Sequence, residues 1–276
     1  MPPLSWQRLR RNLVWIALLV SVWLLCSGQA RAGKLSDRVS DFPNWEHKPP
    51  VRPLVQSSQE DLVYPEWMAG TWQMTSTLVD MVAPLAPELV TPGFEGNRQF
   101  LNEPITAPVR FVRARVAAGQ FLSQALKTNE RWVSDRAFNG LSLARAYLGD
   151  DGVKTVKIDP DNPNRQVTFL KDDQQLISTV TGRAIEAPTA NQFITSEIFQ
   201  QFFRGGRSGA YLNEVENTTA YYHSSEHNSG ANPSESPPTV TADQITAVYL
   251  SPRDPDYFKA LDSPVALYKY RLVFQR

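Results

Sequence analysis

The feature that most constrains this fold is a long series of short segments in which apolar and polar residues alternate. Residues 67–275 contain about nine or ten such segments, separated by residues that favour turns. Only one stretch has helical spacing, so strands and helices do not alternate along the chain. Antiparallel strands in this number must close or stack, because open sheet edges invite aggregation. The pattern predicts a mainly β protein, either an antiparallel up-and-down barrel of about 8–10 strands with one inserted helix or a sandwich.

The alternation also shows which residues share a face of each strand. On the last strand, Tyr268, Tyr270 and Leu272 lie on one face, and Lys269 and Arg271 lie on the other. The predicted strands cover residues 67–78, 109–116, 130–134, 153–158, 165–170, 175–186, 192–203, 211–223, 244–251 and 265–275.

The single helical pattern follows the third strand. Leu141, Ala144 and Tyr147 recur at helical spacing, Asn139 suits an N-cap, and Gly149 is expected to end the helix. Two other stretches lack any period. Residues 80–108 hold five prolines and predict a long irregular excursion of the kind that serves as a lid or binding loop. Residues 223–240 are rich in Ser, Asn, Gly and Pro and predict a flexible hairpin loop.

The N-terminus has the composition of an export signal. Residues 1–32 combine a basic stretch, an apolar run of about 13 residues and the small-residue pattern Ala30-Arg31-Ala32. A membrane anchor is the alternative, but the run is shorter than the roughly 20 residues that span a bilayer. Residues 33–63 then form a proline-rich extended leader, and residues 64–276 form the folded domain. We therefore predict an exported protein.

Charge and cysteine content exclude several classes of function. The whole chain is neutral, but without the four arginines of residues 1–32 its 28 acidic side chains exceed the basic ones by four. Such a chain has no electrostatic reason to bind nucleic acid. Cys26 is the only cysteine and precedes the proposed cleavage site. The mature chain would thus have no disulfide, thiolate metal site or cysteine nucleophile, and we expect no cofactor.

A glycine two residues before a tryptophan opens the first strand, at Gly70 and Trp72. This pair resembles the entry signature of the lipocalin-like barrels, also called calycins. In them the tryptophan plugs one end of the barrel, and the glycine lets the strand bend without a side chain clashing inside. A cation from the last strand covers the indole face. By this resemblance Arg271 is the expected partner of Trp72, with Lys269 as the alternative.

A wider resemblance covers nearly the whole mature chain, from Tyr64 to Arg276. The chain resembles an uncharacterised family of exported proteins shared by cyanobacteria and the thylakoid lumen of plant plastids. The resemblance implies a lipocalin-like protein of the thylakoid lumen or periplasm, and it supplies no catalytic residues. The segments that carry it are YPEWMAGTWQMTSTL, VSDRAFNGLSLARAYLG, DPDNPNR, TGRAIE, TSEIFQQFFR and ALYKYRLVFQR.

One polar cluster is a candidate binding site. Asp135, Arg136 and Asn139 could orient the polar end of a ligand at the mouth of a barrel. The alternative is structural: Asp135 and Asn139 cap the helix while Arg136 pairs with a carboxylate. No metal site is predicted, because His223 and His227 have helical zinc-ligand spacing but lie in a sequence that does not favour a helix.

Three functions fit these observations. The first is non-enzymatic binding of a small apolar ligand such as a pigment, quinone or lipid inside the barrel. The second is an accessory or assembly protein that docks on a membrane complex and has a filled interior. The third is an isomerase or lyase acting on a lipid or tetrapyrrole, which the absence of a nucleophile motif disfavours. A cavity of a few hundred Å³ would favour the first or third function over the second.

Overall fold

In a computed structural model of the chain, the structure describes residues 35–45, 52–53, 61–91, 93–115, 130–205, 210–224 and 240–276. The predicted export signal and Cys26 lie outside these residues. So do residues 33–34, 46–51 and 54–60 of the leader, most of the 223–240 loop, and His227. No helix of the described ranges is both long and apolar enough to cross a membrane.

Twelve strands and three α-helices make up the described chain. The helices are α1 (Leu35–Ser40), α2 (Arg136–Leu148) and α3 (Tyr257–Ala260). The strands are β1 (Arg52–Pro53), β2 (Val63–Tyr64), β3 (Gly70–Val82), β4 (Pro104–Arg115), β5 (Glu130–Ser134), β6 (Val153–Asp159), β7 (Asn162–Leu170), β8 (Gln175–Thr189), β9 (Gln192–Arg204), β10 (Tyr211–His223), β11 (Val240–Leu250) and β12 (Ala266–Gln275).

All twelve strands belong to one antiparallel sheet, with the order β2-β5-β4-β3-β12-β11-β10-β9-β8-β7-β6 and with β1 paired to β8. The sheet curls strongly, because the Tyr64 ring on edge strand β2 lies 5.7 Å from Phe193 of β9 and 6.1 Å from Tyr221 of β10. Pairing of β3 with β12 joins the beginning and the end of the long meander. The mainly β antiparallel prediction is confirmed, and a two-layer sandwich is excluded.

Among the described strands, the two edges β2 and β6 do not pair with each other. Helix α2 lies at this opening and packs against both β4 and β6. Asp135 caps the helix by accepting a hydrogen bond from the Phe138 amide at 3.1 Å, and Gly149 ends it with a φ of 76°. The end at Gly149 is as predicted, but the cap at Asn139 is not, because the helix begins three residues before it. The opening is thus covered by a helix of 13 residues.

The leader packs on the outer face of the sheet. Leu35, Val39 and Trp45 are buried in one cluster with outward residues of β9–β12, among them Ile194 and Tyr249. Within this apolar contact, Arg38 donates a hydrogen bond of 2.7 Å to Glu216 of β10, a residue with no exposed surface. Trp45 donates a further bond of 3.1 Å to the Tyr249 hydroxyl. The leader therefore covers part of the outer face of β9–β12.

The predicted excursion at 80–108 is shorter in the structure. Strand β3 continues to Val82, and β4 already begins at Pro104. Pro108 lies inside β4 opposite Gln73 of β3, before the pairing with β5 starts at Phe111. Proline lacks an amide hydrogen, so it is tolerated where a strand has a neighbour on one side only. The described part of the loop is therefore residues 83–91 and 93–103, called the 83–103 loop below.

Candidate functional site

Trp72 closes one end of the curled sheet. The side chain is 1 % exposed, its indole nitrogen donates a 2.8 Å hydrogen bond to the Met68 carbonyl, and its ring meets Phe274 edge-on at 6.4 Å. The Arg276 guanidinium lies 4.5 Å from the centre of the indole and donates a 3.1 Å hydrogen bond to the Ala69 carbonyl. A tryptophan from β3 and a cation from the end of β12 therefore form the plug.

The covering cation is Arg276 and not Arg271, and the expectation from the resemblance is corrected. The register places Gln275 opposite Gln73, so the next residue falls beside Trp72, whereas Arg271 lies opposite Thr77. Arg271 instead donates a 3.0 Å hydrogen bond to Asp243 on β11. The alternative, Lys269, lies 5.5 Å from the Phe42 ring on the outer face. Which cation meets the indole depends on this register, which residue spacing alone does not reveal.

The structure requires a glycine at position 70 for a reason different from the expected one. A methyl group built there would meet no atom within 4 Å, so the position is not crowded. Its φ is +93°, a conformation that side-chain-bearing residues rarely adopt. The glycine therefore permits the turn from the 3₁₀ segment Glu66–Met68 into β3.

The plug gives a first prediction. We expect Arg276→Ala to lower the free energy of unfolding by about 0.5–1 kcal/mol, because an exposed cation–π contact contributes about that much. Arg271→Ala, five residues earlier on β12, is the matched control and should lower the free energy of unfolding less, because its exposed pair with Asp243 does not touch the indole. Urea unfolding of both variants measures the difference. Equal losses would contradict the assignment of Arg276 to the plug.

A cavity of about 700 Å³ lies inside the curl, between Trp72 and the opposite end of the sheet. Near the plug its wall is aromatic and aliphatic. Tyr64 lies 4.7 Å from Phe111, and Tyr221 lies 6.1 Å from Phe274. The apolar wall here is completed by Met74, Val109, Leu143 and Leu272.

Away from the plug the lining becomes polar. Strands β10 and β11 contribute Asn217 and Thr246, directly opposite each other and joined by a 2.7 Å hydrogen bond. On β10, Asn213 precedes Asn217 by four residues, on the side away from the plug, and Tyr221 follows Asn217 by four residues, on the side of the plug. At about 3.3 Å per residue, this face of β10 extends about 26 Å from aromatic to amide side chains. The cavity thus has an apolar end and a hydrogen-bonding end.

The 83–103 loop covers part of the hydrogen-bonding end. Thr91 and Asn97 line the cavity, and the Asn97 amide donates a 3.0 Å hydrogen bond to the Tyr268 hydroxyl of β12. The Phe94 ring lies 5.8 Å from Tyr268. The loop therefore forms part of the cavity wall, and its role as a lid or binding loop stays a prediction.

A buried ion cluster lies beside the apolar end and fastens helix α2 across the opening of the sheet. Arg136, the first residue of the helix, donates hydrogen bonds of 2.9 Å to Asp61 and 3.0 Å to Glu197 of β9. Arg183 of β8 donates a 2.8 Å bond to Glu197 and a further bond to Asn164 of β7. Because the partners come from elements on both sides of the opening, the cluster joins its two sides.

The cluster and the neighbouring tyrosines have shifted pKa values. Burial favours a raised pKa of Glu197, but the Arg136 and Arg183 guanidiniums outweigh it and hold the pKa below its usual value of 4.5. Burial raises the pKa of Tyr221 to about 12, and burial together with Tyr221 raises the pKa of Tyr64 well above 10. The carboxylate therefore stays charged near neutral pH, whereas both phenols stay protonated.

The predicted cluster of Asp135, Arg136 and Asn139 is present. Asp135 and Arg136 make the contacts of the structural alternative, whereas Asn139 lies inside the helix and does not cap it. Asp135 pairs with Arg110 at 2.6 Å besides capping α2. The Asn139 side chain accepts a 2.7 Å bond from the Arg110 amide and donates a 3.0 Å bond to the Arg110 carbonyl, which ties the helix to β4. Asn139 is the only one of the three that also lines the cavity.

A family model described as "Domain of unknown function (DUF6816)" matches residues 56–276. The chain belongs to this family. None of the curated proteins and none of the solved structures matches it. The expectation that the chain belongs to an uncharacterised family is thus confirmed, whereas the lipocalin-like fold, the export and the distribution in cyanobacteria and plastids stay predictions.

Within the DUF6816 segment, the sequence did not single out the amide side chains of β9–β11 as site residues. Gln201, Asn213, Asn217 and Gln244 look like ordinary polar positions of strands, and only the curl of the sheet turns their face inward. Alternation with inward residues such as Val215 and Val248 was the available signal.

His223, the described member of the histidine pair, stacks on Trp67 at 5.2 Å.

Proposed function

We propose that this DUF6816 protein binds a small, largely apolar molecule inside its curled sheet and does so without catalysing a reaction. The observation that carries the proposal is the cavity of about 700 Å³. That volume lies within the range of sites that enclose small molecules, and an interior filled for stability alone would leave no such space. Pigments, quinones and lipids are the ligand classes that suit the aromatic end.

The proposal extends to fold and compartment. The pairing of β3 with β12 and the Trp72–Arg276 plug support a lipocalin-like barrel in which helix α2 occupies the gap between the edge strands. The basic and apolar N-terminus supports export to a periplasm or thylakoid lumen. A pigment, quinone or lipid carrier in such a compartment would work beside the membrane that holds its ligand.

The tyrosines favour binding over catalysis. A general base must be deprotonated near the working pH, but burial raises the pKa of Tyr221 to about 12 and that of Tyr64 well above 10. Their hydroxyls thus act as fixed hydrogen-bonding groups. The charged groups of the nearby ion cluster bond to one another. Among the described residues, this arrangement supports holding a ligand and offers no poised acid–base pair.

The direct experiment is native mass spectrometry of the full chain purified from its own source. A stoichiometric adduct of small mass is the expected result. A bare mass together with a co-purifying membrane subunit would overturn the proposal in favour of the assembly function.

A substitution in the cavity provides the second test. The neutral dye N-phenyl-1-naphthylamine should bind with one-to-one stoichiometry and increased fluorescence. Val215→Phe fills space in the lining, so we expect its affinity to fall at least about ten-fold. The matched control is Val79→Phe, the same change at an exposed position of β3, which should leave affinity unchanged. Absence of dye binding by the unsubstituted protein, or equal loss in both variants, would contradict binding in this cavity.

A further inference from the structure

We propose that the ligand is an uncharged, elongated amphiphile whose head group donates a hydrogen bond to Asn213, with its apolar part directed toward Trp72. This inference rests on the proposed function and specifies its ligand class. It depends on three observations of the cavity: the charge of its lining, the polarity gradient along it, and one unpaired atom at its polar end.

The first observation is that, among the described residues that line the cavity, none is charged. The inward-facing Glu197 of β9 lies close by, but its carboxylate bonds to Arg136 and Arg183 and is compensated there. A ligand carboxylate, phosphate or ammonium would lose its hydration and find no counter-charge in the lining. The cavity therefore selects against ionised ligands.

The second observation is the order of side chains along the strands. The aromatic group around Tyr64, Phe111 and Tyr221 lies at the plug, whereas the amides and hydroxyls of Asn213, Asn217 and Thr246 follow at increasing distance along β10 and β11. A purely apolar ligand would remove water from these polar groups and offer them no hydrogen bond beyond those they make to one another, which carries a desolvation cost. An amphiphile satisfies both ends in one orientation only.

The third observation is the side-chain oxygen of Asn213. The residue is 8 % exposed, and this oxygen is buried without a hydrogen-bond partner. The amide also hydrogen-bonds the Tyr211 hydroxyl, so the oxygen is the unpaired atom of a residue that lines the cavity. Buried acceptors are nearly always paired in proteins, and an exception points to a missing partner. The missing partner would be an N–H or O–H donor on the ligand.

The test uses four probes that compete with N-phenyl-1-naphthylamine for the full-length protein at pH 8. The first three share one chain length and differ in their head group: dodecanamide is neutral and donates, methyl dodecanoate is neutral and only accepts, and dodecanoate is ionised. The fourth, dodecane, has no head group. We expect dodecanamide to bind about five-fold more tightly than the ester, the ratio for one neutral hydrogen bond, and at least about ten-fold more tightly than the anion.

Asn213→Leu assigns the donor preference to the residue. This variant should bind the amide and the ester equally, and its ligand-free form should melt at a higher temperature because the unpaired oxygen is gone. Equal binding of amide and anion, or an amide preference that survives in Asn213→Leu, would overturn the inference. In both cases the dye would still bind, so the proposed function would stand. If the dye does not bind to the unsubstituted protein, the proposed function itself is overturned.

Discussion

Glu197→Ala should be among the most destabilising substitutions in this protein, with a loss of about 3–5 kcal/mol in the free energy of unfolding. The carboxylate binds Arg136 and Arg183 in an environment where its side chain is 10 % exposed. Removing it leaves two guanidiniums buried with less compensation, and it releases the first turn of α2 from β9. Urea unfolding followed by tryptophan fluorescence measures the loss.

Two further variants show whether this loss of unfolding free energy comes from the burial of the cluster or from the removal of any ion pair. Arg136→Met combined with Glu197→Leu removes a cation together with the anion, so it should be less destabilised than Glu197→Ala alone. Glu95→Ala breaks an exposed pair with Arg98 and should leave the unfolding midpoint unchanged. Similar effects of Glu197→Ala and Glu95→Ala would contradict a buried cluster.

The same carboxylate predicts a dependence of stability on pH. Because the folded protein holds the pKa of Glu197 below its usual 4.5, this group contributes stability above about pH 4.5, and the contribution disappears as the pH falls through the lowered folded value. The difference in free energy of unfolding between Glu197→Gln and the unsubstituted protein should therefore become smaller as the pH drops from 6 to 3. A constant gap over this range would argue against the lowered pKa.

Trp72→Ala should also be strongly destabilising. It should lower the free energy of unfolding by about 3–5 kcal/mol, the range for truncating a fully buried large aromatic side chain. It removes the packing against Phe274, the bond to the Met68 carbonyl and the surface on which the Arg276 guanidinium lies. The loss of unfolding free energy can be measured by urea titration with circular dichroism, since the variant lacks one fluorophore.

Trp67→Ala is the matched control for this prediction. Trp67 lies five residues earlier, is half-buried, and stacks on His223 at the same end of the sheet. It should cost clearly less, because its ring keeps contact with solvent. A loss as large as that of Trp72→Ala would mean that the end of the sheet depends on general aromatic packing and not on one plug.

Much of the fold could be predicted from the sequence because alternation of apolar residues is a local signal. The predicted 192–203, 211–223 and 265–275 segments agree with β9, β10 and β12 within one residue at each end. Local signals failed where pairing decides the structure. Pro108 breaks the pattern of a strand, yet it lies within β4 because that part of the strand has a neighbour on one side only.

The site was less predictable for a similar reason. Trp72 could be chosen as a plug from its spacing to Gly70, but the choice between Arg271 and Arg276 depends on strand register. Asp135 and Arg136 were conspicuous because their charges stand among apolar residues, and they serve to hold α2. Asn213 was inconspicuous, since an amide on a strand is ordinary until its neighbours enclose it.

The leader helix also changes the bounds of the smallest segment of this protein that we expect to fold on its own. The family match begins at residue 56, yet Leu35, Val39 and Trp45 supply one side of a cluster whose other side belongs to β9–β12. Glu216, with no exposed surface, has its guanidinium partner outside the matched boundary. The segment that the family model matches is therefore an incomplete unit, and the compact unit of the chain extends upstream to residue 35.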